Sequence, residues 1–304
     1  MTNSATMPID FTVGSRRLFA VERLLASWSF TLEDVLQESV PIAPPDPGPD
    51  GLRVLSAPAH ATTKILAEFP DHIVGGRQDY HRHYIDMAGS YDAYLAQFSG
   101  KTRSTLRRKL RKLSKEAGDS YRVTEHRTPS EIEQFLDAAL PLSAKTYQAR
   151  LLDAGLPDSA QARSAMLAAA GGDTMRAYLL HAAEGPIAYL ALPVLGQTLI
   201  YAHLGYDPDW ARLSPGTVLQ MEALERLFAE QRYSYFDFTE GEGPHKVLFG
   251  TDSIECSSFV LLEPTAANRA LLGARAGFDT IIEQTKALAE RSGALARVRS
   301  ILRA

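Results

Sequence analysis

The chain has 304 residues, 45% apolar and 22% charged, with a formal net charge of −4. That supplies a sizeable core for one large domain or two, and the mild acidity excludes a general nucleic-acid binder, which is basic overall. Cys256 is the only cysteine, so an intrachain disulfide framework is excluded, and the opening "MTNSATMPIDFTVGSRR" lacks the apolar centre of a signal peptide; a reducing, cytoplasmic setting is expected.

Residues 16–37, "RRLFAVERLLASWSFTLEDVLQ", carry apolar residues at helical spacing and predict an amphipathic helix with a break near Ser29. "PIAPPDPGPDG", 41–51, holds five prolines and reads as a linker. "LRVLSA" and "DYHRHYIDM" predict strands, and "SYDAYLAQF" a short helix capped by Ser90. Segment 101–116, "KTRSTLRRKLRKLSKE", follows with eight Lys or Arg against one acid; it carries +7 and leaves −11 for the rest of the chain. Leu106, Leu110 and Leu113 form one apolar stripe, so this basic segment is a helix lying on the body. Its cations repel one another along the opposite face, which argues for an anionic partner over a purely solvated surface.

"YRVTEH" predicts a strand. A helical region begins at Thr128 with Pro129 in its first turn and is kinked or divided at Pro141, and a further helix covers about 158–170. "TMRAYLLHAA", "GPIAYLALPVL" and "QTLIYAHLGY" read as three successive strands with turns at Glu184-Gly185 and Gly196-Gln197. Residues 186–206 have the length of a membrane span, but Pro193 and the Gly196-Gln197 pair interrupt it, which favours strands. A helix follows at 214–231, then strands "YSYFDF" and "IECSSFVLL" and a helical tail from Ala266 that is amphipathic and basic toward its end. The order β-β-β-α-β places parallel strands on either side of the 214–231 helix. Such strands splay where their pairing fails, and a phosphate-bearing cofactor can enter the gap at the helix N-terminus.

"LGYDPDWARLSPGTVLQMEALE", "YFDFTEGEGPHKVLFG", "FSGKTRSTLRRKLRKL" and "LPLSAKTYQARLL" resemble the GNAT acyltransferase superfamily, in its FemAB-like branch with the CelD/BcsL-type acetyltransferases. The resemblance covers about 80–265. It implies an α/β (α+β) fold with a mixed, mostly antiparallel sheet flanked by helices, and a second, truncated GNAT-like half ahead of it. The expected division is an N-terminal helix and linker (1–51), the truncated half ending in the basic helix (52–120), the acyltransferase domain (121–265) and a helical tail (266–304).

The resemblance implies acyl-CoA, acetyl or longer, as co-substrate and an amine, less often a hydroxyl, as acceptor, in envelope, polysaccharide or lipid biosynthesis. The GNAT phosphate loop has the pattern [QR]-x-x-G-x-[GA]. Here Arg212-Leu213-Ser214-Pro215-Gly216-Thr217 keeps the first position and departs at Pro215 and Thr217. Ser214, Gly216 and Thr217 open a helix whose free amides can hold a diphosphate, with Gly216 leaving room for its approach and Arg212 beside it. In the GNAT manner, amides at Leu204 and Gly205 polarise the thioester carbonyl. Tyr201, His203 and Gly205 share one side of their strand; Tyr206, at its end, can protonate the leaving thiolate.

"TEGEGPHK", 239–246, collects two acids, two glycines, His245 and Lys246 after a strand end. Glu240, Glu242 or His245 can take the proton of the attacking amine, and Lys246 can hold a phosphate or carboxylate. The branch resemblance places Lys145 and Tyr147 on the acceptor side. Arg107 and Arg111 on the basic helix face an anionic substrate. His81 and His83 lack further ligands in sequence, so no metal is expected. The expected partners are a small-molecule or lipid-linked acceptor and an anionic membrane surface contacted peripherally, with no DNA. An aminoacyl-tRNA donor on the basic face and a non-catalytic GNAT-fold scaffold are the alternatives.

Overall fold

The computed structural model describes residues 4–13, 16–37, 44–146, 155–182, 185–241 and 243–291. The chain forms two compact units, one of residues 1–80 and 255–304, the other of residues 81–254. It passes between them in strands β4 (Ile73–Asp86) and β11 (Asp252–Leu262).

In the first unit, β1 (Ser4–Val13) and β2 (Arg16–Ser29) form an antiparallel hairpin, β2 pairs in parallel with β3 (Gly51–Pro58), and β3 pairs antiparallel with β11. The helix read over 16–37 is therefore corrected: only α1 (Leu32–Leu36) is helical there. Tertiary pairing overrides the helical spacing. Phe19 stacks on Phe11 across the hairpin at 4.3 Å, and Leu25, Trp28 and Phe30 are buried while Ser27 and Ser29 are exposed. A second short helix, α2 (Thr62–Ala67), follows β3. The tail is one helix, α9 (Ala266–Arg291), whose Leu271, Leu272 and Phe278 pack on Ile9, Phe11 and Leu25. Residues 292–304 lie outside the described residues, and with them most of the basic end of the tail.

The second unit holds β5 (Arg122–His126), β6 (Met175–Ala182), β7 (Gly185–Leu195), β8 (Thr198–Ile200), β9 (His203–Tyr206) and β10 (Tyr235–Asp237). Their sheet is mixed and mostly antiparallel in the order β4-β10-β8-β7-β6-β5, with β9 also on β7; β8–β10 is the parallel pair. Side chains alternate strictly between its faces. Tyr178, Leu180, Ala188 and Leu190 meet α3 (Tyr91–Ala96), α4 (Gly100–Ala117) and α7 (Pro215–Ala229). Ala177, Leu179, Tyr189 and Ala191 meet α5 (Pro129–Lys145) and α6 (Ala160–Gly171). Helices thus flank both faces.

Thr128 caps α5 by a capping box with Glu131, and α5 runs through Pro141 without dividing. Ser90 caps α3 as the sequence predicts. The basic helix is α4; Leu106 and Leu113 are buried in the same core as α7. The boundary expected at 120/121 thus falls inside the second unit.

Candidate active site

The site grows from an irregularity between β8 and β9. Leu199 pairs with Val194 and His203 with Ala191, so one more residue lies on the β8–β9 side than on β7: a β-bulge at Tyr201-Ala202. On the other side β8 pairs with β10 as far as Ile200 and Asp237, and the Tyr201 amide donates to Asp237 O at 2.9 Å. Beyond the bulge, β9 stays on β7 and leaves β10. The two parallel strands splay from Tyr201 toward Tyr206.

The bulge also changes which side chains face together. Leu204 and Tyr206 turn toward the α7 side with Tyr201, whereas His203 and Gly205 stand opposite Ala191 and Tyr189 on the α5 side. Tyr201, His203 and Gly205 therefore do not share a face, which corrects the simple alternation read from sequence. Gly205 is fixed by its neighbour: a Cβ there would lie 2.4 Å from the Tyr189 ring, whose hydroxyl donates to Ser143 Oγ at 3.0 Å.

At the open end of the splay lies the first turn of α7. Its first internal bond runs from the Val218 amide to Ser214 O, so the amides of Gly216 and Thr217 have no carbonyl within the helix. Ser214 takes a left-handed conformation, φ +56° and ψ +50°, and its side chain makes no cap; the sequence signal for an ordinary serine cap is corrected. Gly216 is small for a reason different from the one its motif suggests. A Cβ would sit 2.8 Å from Leu204 Cδ2 and 3.3 Å from Tyr206 Cδ1, so the glycine lets α7 close onto β9. Tyr206 lies against this turn, at the end of β9 away from the bulge. Arg212 is engaged with Glu116 of α4 at 2.5 Å. Lys145, at the end of α5, faces Asp207 at 3.7 Å, beside the end of β9.

The loop after β10 closes the narrow end. Asp237 is fully buried and its carboxylate receives Arg82 at 2.5 and 3.1 Å. The Thr239 amide donates to the same carboxylate at 2.8 Å, with Thr239 and Gly241 in left-handed conformations, φ +61° and +77°. Lys246, in α8 (Pro244–Phe249), donates to the carbonyls of Glu240 and Gly241, the latter at 3.1 Å. Its ammonium therefore staples the loop and does not stand open to a phosphate. Burial lowers the Lys246 pKa, against Asp237 and Glu240, which raise it.

The His245 ring lies 5.9 Å from Tyr201 and 6.2 Å from Phe238. Desolvation of the ring, followed by the Lys246 charge, lowers its pKa, so it is neutral at pH 7 and free to accept a proton. Burial raises the Tyr201 pKa and keeps its phenol protonated. His245 and Tyr201 thus meet at the bulge, with Glu240 exposed in the adjoining loop. Glu242 and Tyr147 lie outside the described residues. Arg107 and Arg111 are exposed on α4. The Arg82–Asp237 pair escaped the sequence reading because its members are 155 residues apart; the alternation of "HRHY" about a buried arginine is its only local trace. Among the described residues no cluster of His, Cys, Asp or Glu can hold a metal, and no helix is long and apolar enough to cross a membrane.

A parallel pair thus splays at a bulge, with a helix N-terminus at the open end. Residues 100–247 match the family described as acetyltransferase (GNAT) domain, and this segment is a domain of the GNAT superfamily. FemX has the same fold, at 10% identity and a TM-score of 0.51 over 86% of this chain and 89% of that one. The C-terminal DUF2156 domain of a protein assigned as a lysylphosphatidylglycerol synthetase from Agrobacterium fabrum is similar at 13% identity and a TM-score of 0.50, covering 74% and 72%. The fold is thus shared with a FemAB-type protein. No curated protein sequence matches.

Proposed function

We propose that the second unit is an N-acyltransferase that moves an acyl group from acyl-CoA to an amine of a sugar, amino acid or lipid precursor. The observation that carries this reading is the β8–β10 pairing that ends at the Tyr201 bulge and opens toward the first turn of α7. The donor diphosphate meets the Gly216 and Thr217 amides; the thioester lies along β9 with its carbonyl at the bulge. The amine nitrogen attacks the carbonyl carbon, the C–S bond breaks, and the thiolate leaves. Neutral His245 or Glu240 takes the proton from nitrogen. The Agrobacterium fabrum relative is named for a lipid product, which keeps a lipid acceptor within the proposed class.

Calorimetry with acetyl-CoA and a long-chain acyl-CoA tests the donor. A carboxylate in the first turn favours the helix but repels a diphosphate, so Thr217→Asp is expected to leave the melting temperature unchanged or raised while weakening donor binding by about tenfold or more. Unchanged affinity in this variant sinks the phosphate placement. Absence of binding to either thioester favours a scaffold.

A second reading has its own observation. Lys101, Arg107, Arg108, Arg111, Lys112 and Lys115 are all exposed on α4, and an aminoacyl-tRNA donor fits that face. Salt-dependent retention on immobilised tRNA with no thioester binding would select it.

A further inference from the structure

A cavity of about 230 Å³ lies within the second unit between α3, α4 and α7, apart from the β9–β10 splay although Thr217 reaches its edge. Leu95, Leu106, Leu110, Val218 and Met221 give it an apolar lining. Its charged groups are divided by element: α4 supplies Arg103 and Arg107, whereas Asp92 comes from α3 and Glu225 from α7. Among the described residues these opposite charges form no ion pairs with one another, and none of the four has a charged partner elsewhere. Arg103 donates only to the Ala96 carbonyl, at 3.1 Å. A third carboxylate, Glu222, is already engaged by Tyr121 at 3.0 Å and Arg226 at 3.2 Å. Tyr91 forms part of the wall and donates to Met221 O at 3.1 Å. Two guanidiniums and two carboxylates around one apolar space, each lacking a counter-charge, are the complement of a ligand that brings both charges itself.

We propose that this cavity is a binding site for a small zwitterion with an apolar body, its anionic group on Arg103 and Arg107 and its ammonium on Asp92 and Glu225. The volume equals roughly eight waters at about 30 Å³ each, which suits a metabolite of about ten non-hydrogen atoms. An apolar α-amino acid and a phosphorylated small amine share this chemistry. The site is independent of the acyl-transfer reading, because it is defined by binding alone.

The test is titration of the full chain with L-leucine, without any thioester, followed by calorimetry or ligand-observed NMR. Parallel titrations use 4-methylpentanoate, which lacks the ammonium, isoamylamine, which lacks the carboxylate, and O-phosphoethanolamine. Saturable binding of leucine at millimolar concentration is expected, with about tenfold weaker binding of either single-charge analogue and in Arg107→Ala or Asp92→Asn, the loss that follows from one charge-assisted contact. Tighter binding of O-phosphoethanolamine supports the site and makes its anion a phosphate. Lys112→Ala, exposed on the same helix but away from the cavity, controls for loss of the α4 fold and is expected to bind normally. Binding of neither zwitterion, equal affinity for the single-charge analogues, or competitive displacement of leucine by acyl-CoA overturns the proposal. Failure of the acyl-CoA titration alone leaves it standing.

Discussion

Gly205 and Gly216 show how much of this site is decided by the absence of a side chain. Both glycines have neighbours closer than any Cβ tolerates: the Tyr189 ring at 2.4 Å in one case, Leu204 Cδ2 at 2.8 Å in the other. Gly205→Ala is expected to destabilise the second unit by about 1–3 kcal/mol through overpacking, measured by urea unfolding. Tyr189→Leu in that background is expected to recover part of the loss, although it gives up the bond to Ser143. No recovery would mean that backbone conformation, not the ring, demands glycine. Beneath the neighbouring loop, Arg82→Met leaves the fully buried Asp237 carboxylate without its guanidinium; about 3–5 kcal/mol of destabilisation is expected, as for other broken buried pairs. A loss below about 1 kcal/mol would show that other donors, the Thr239 amide among them, satisfy the Asp237 carboxylate without the guanidinium. The motif around Gly216 was visible in sequence, but its reason was not: the residues that crowd it, Leu204 and Tyr206, are placed there only by the bulge.

Elements whose own sequence carries their caps and periodicity were legible. Thr128 with Glu131, Ser90, and the leucine stripe of α4 each fix a boundary or a face locally. The β1–β2 hairpin was not legible, because Leu24, Leu25 and Trp28 satisfy a helical period, whereas in the hairpin Leu24 is exposed and the burial of Leu25 and Trp28 depends on β3, a partner beyond the proline-rich linker. Pro141 failed as a break for a related reason, since Ile132, Phe135, Leu136, Ala139 and Leu142 bury one continuous face of α5 and tertiary packing offsets the missing amide. The cations of α4 illustrate the opposite tension, between an element and its use. Arg107, Arg111 and Lys115 follow one another at i,i+4 on the exposed face. Arg111→Glu replaces two repulsive pairs with two attractive ones and is expected to stabilise the helix by a few tenths of a kcal/mol. The same change is expected to lower the salt concentration at which the protein leaves a heparin column. A variant that is both more stable and equally retained would show that the cationic face serves no anionic partner.

Charge at the level of the molecule is also set by histidines that the fold keeps neutral. His126, His181, His203 and His245 all belong to the second unit, and burial is the first cause of the lowered pKa at each. His126 and His181 both meet Thr124 Oγ1 at 3.0 Å, and His126 Nδ1 meets Glu131 O at 3.0 Å, a network built for neutral rings. Between the ordinary histidine pKa of 6.5 and the lower folded values, the unfolded chain binds protons that the folded chain refuses. Stability contributed by these groups is therefore present above pH 6.5 and lost as pH falls through the folded pKa values. The carboxylates of the second unit with lowered pKa, Glu131 and Asp173, lose their contribution only below their ordinary values of 4.5 and 3.8, which separates the two windows. Urea midpoints are expected to fall between about pH 7.5 and about pH 5.5, in the transition of the second unit if the two units unfold separately. His126→Gln keeps a hydrogen-bonding side chain that does not titrate, and it is expected to flatten that slope. A midpoint independent of pH across this interval would show that these rings keep their ordinary pKa in the folded protein, and a slope unchanged in His126→Gln would show that the His126 ring does not carry it.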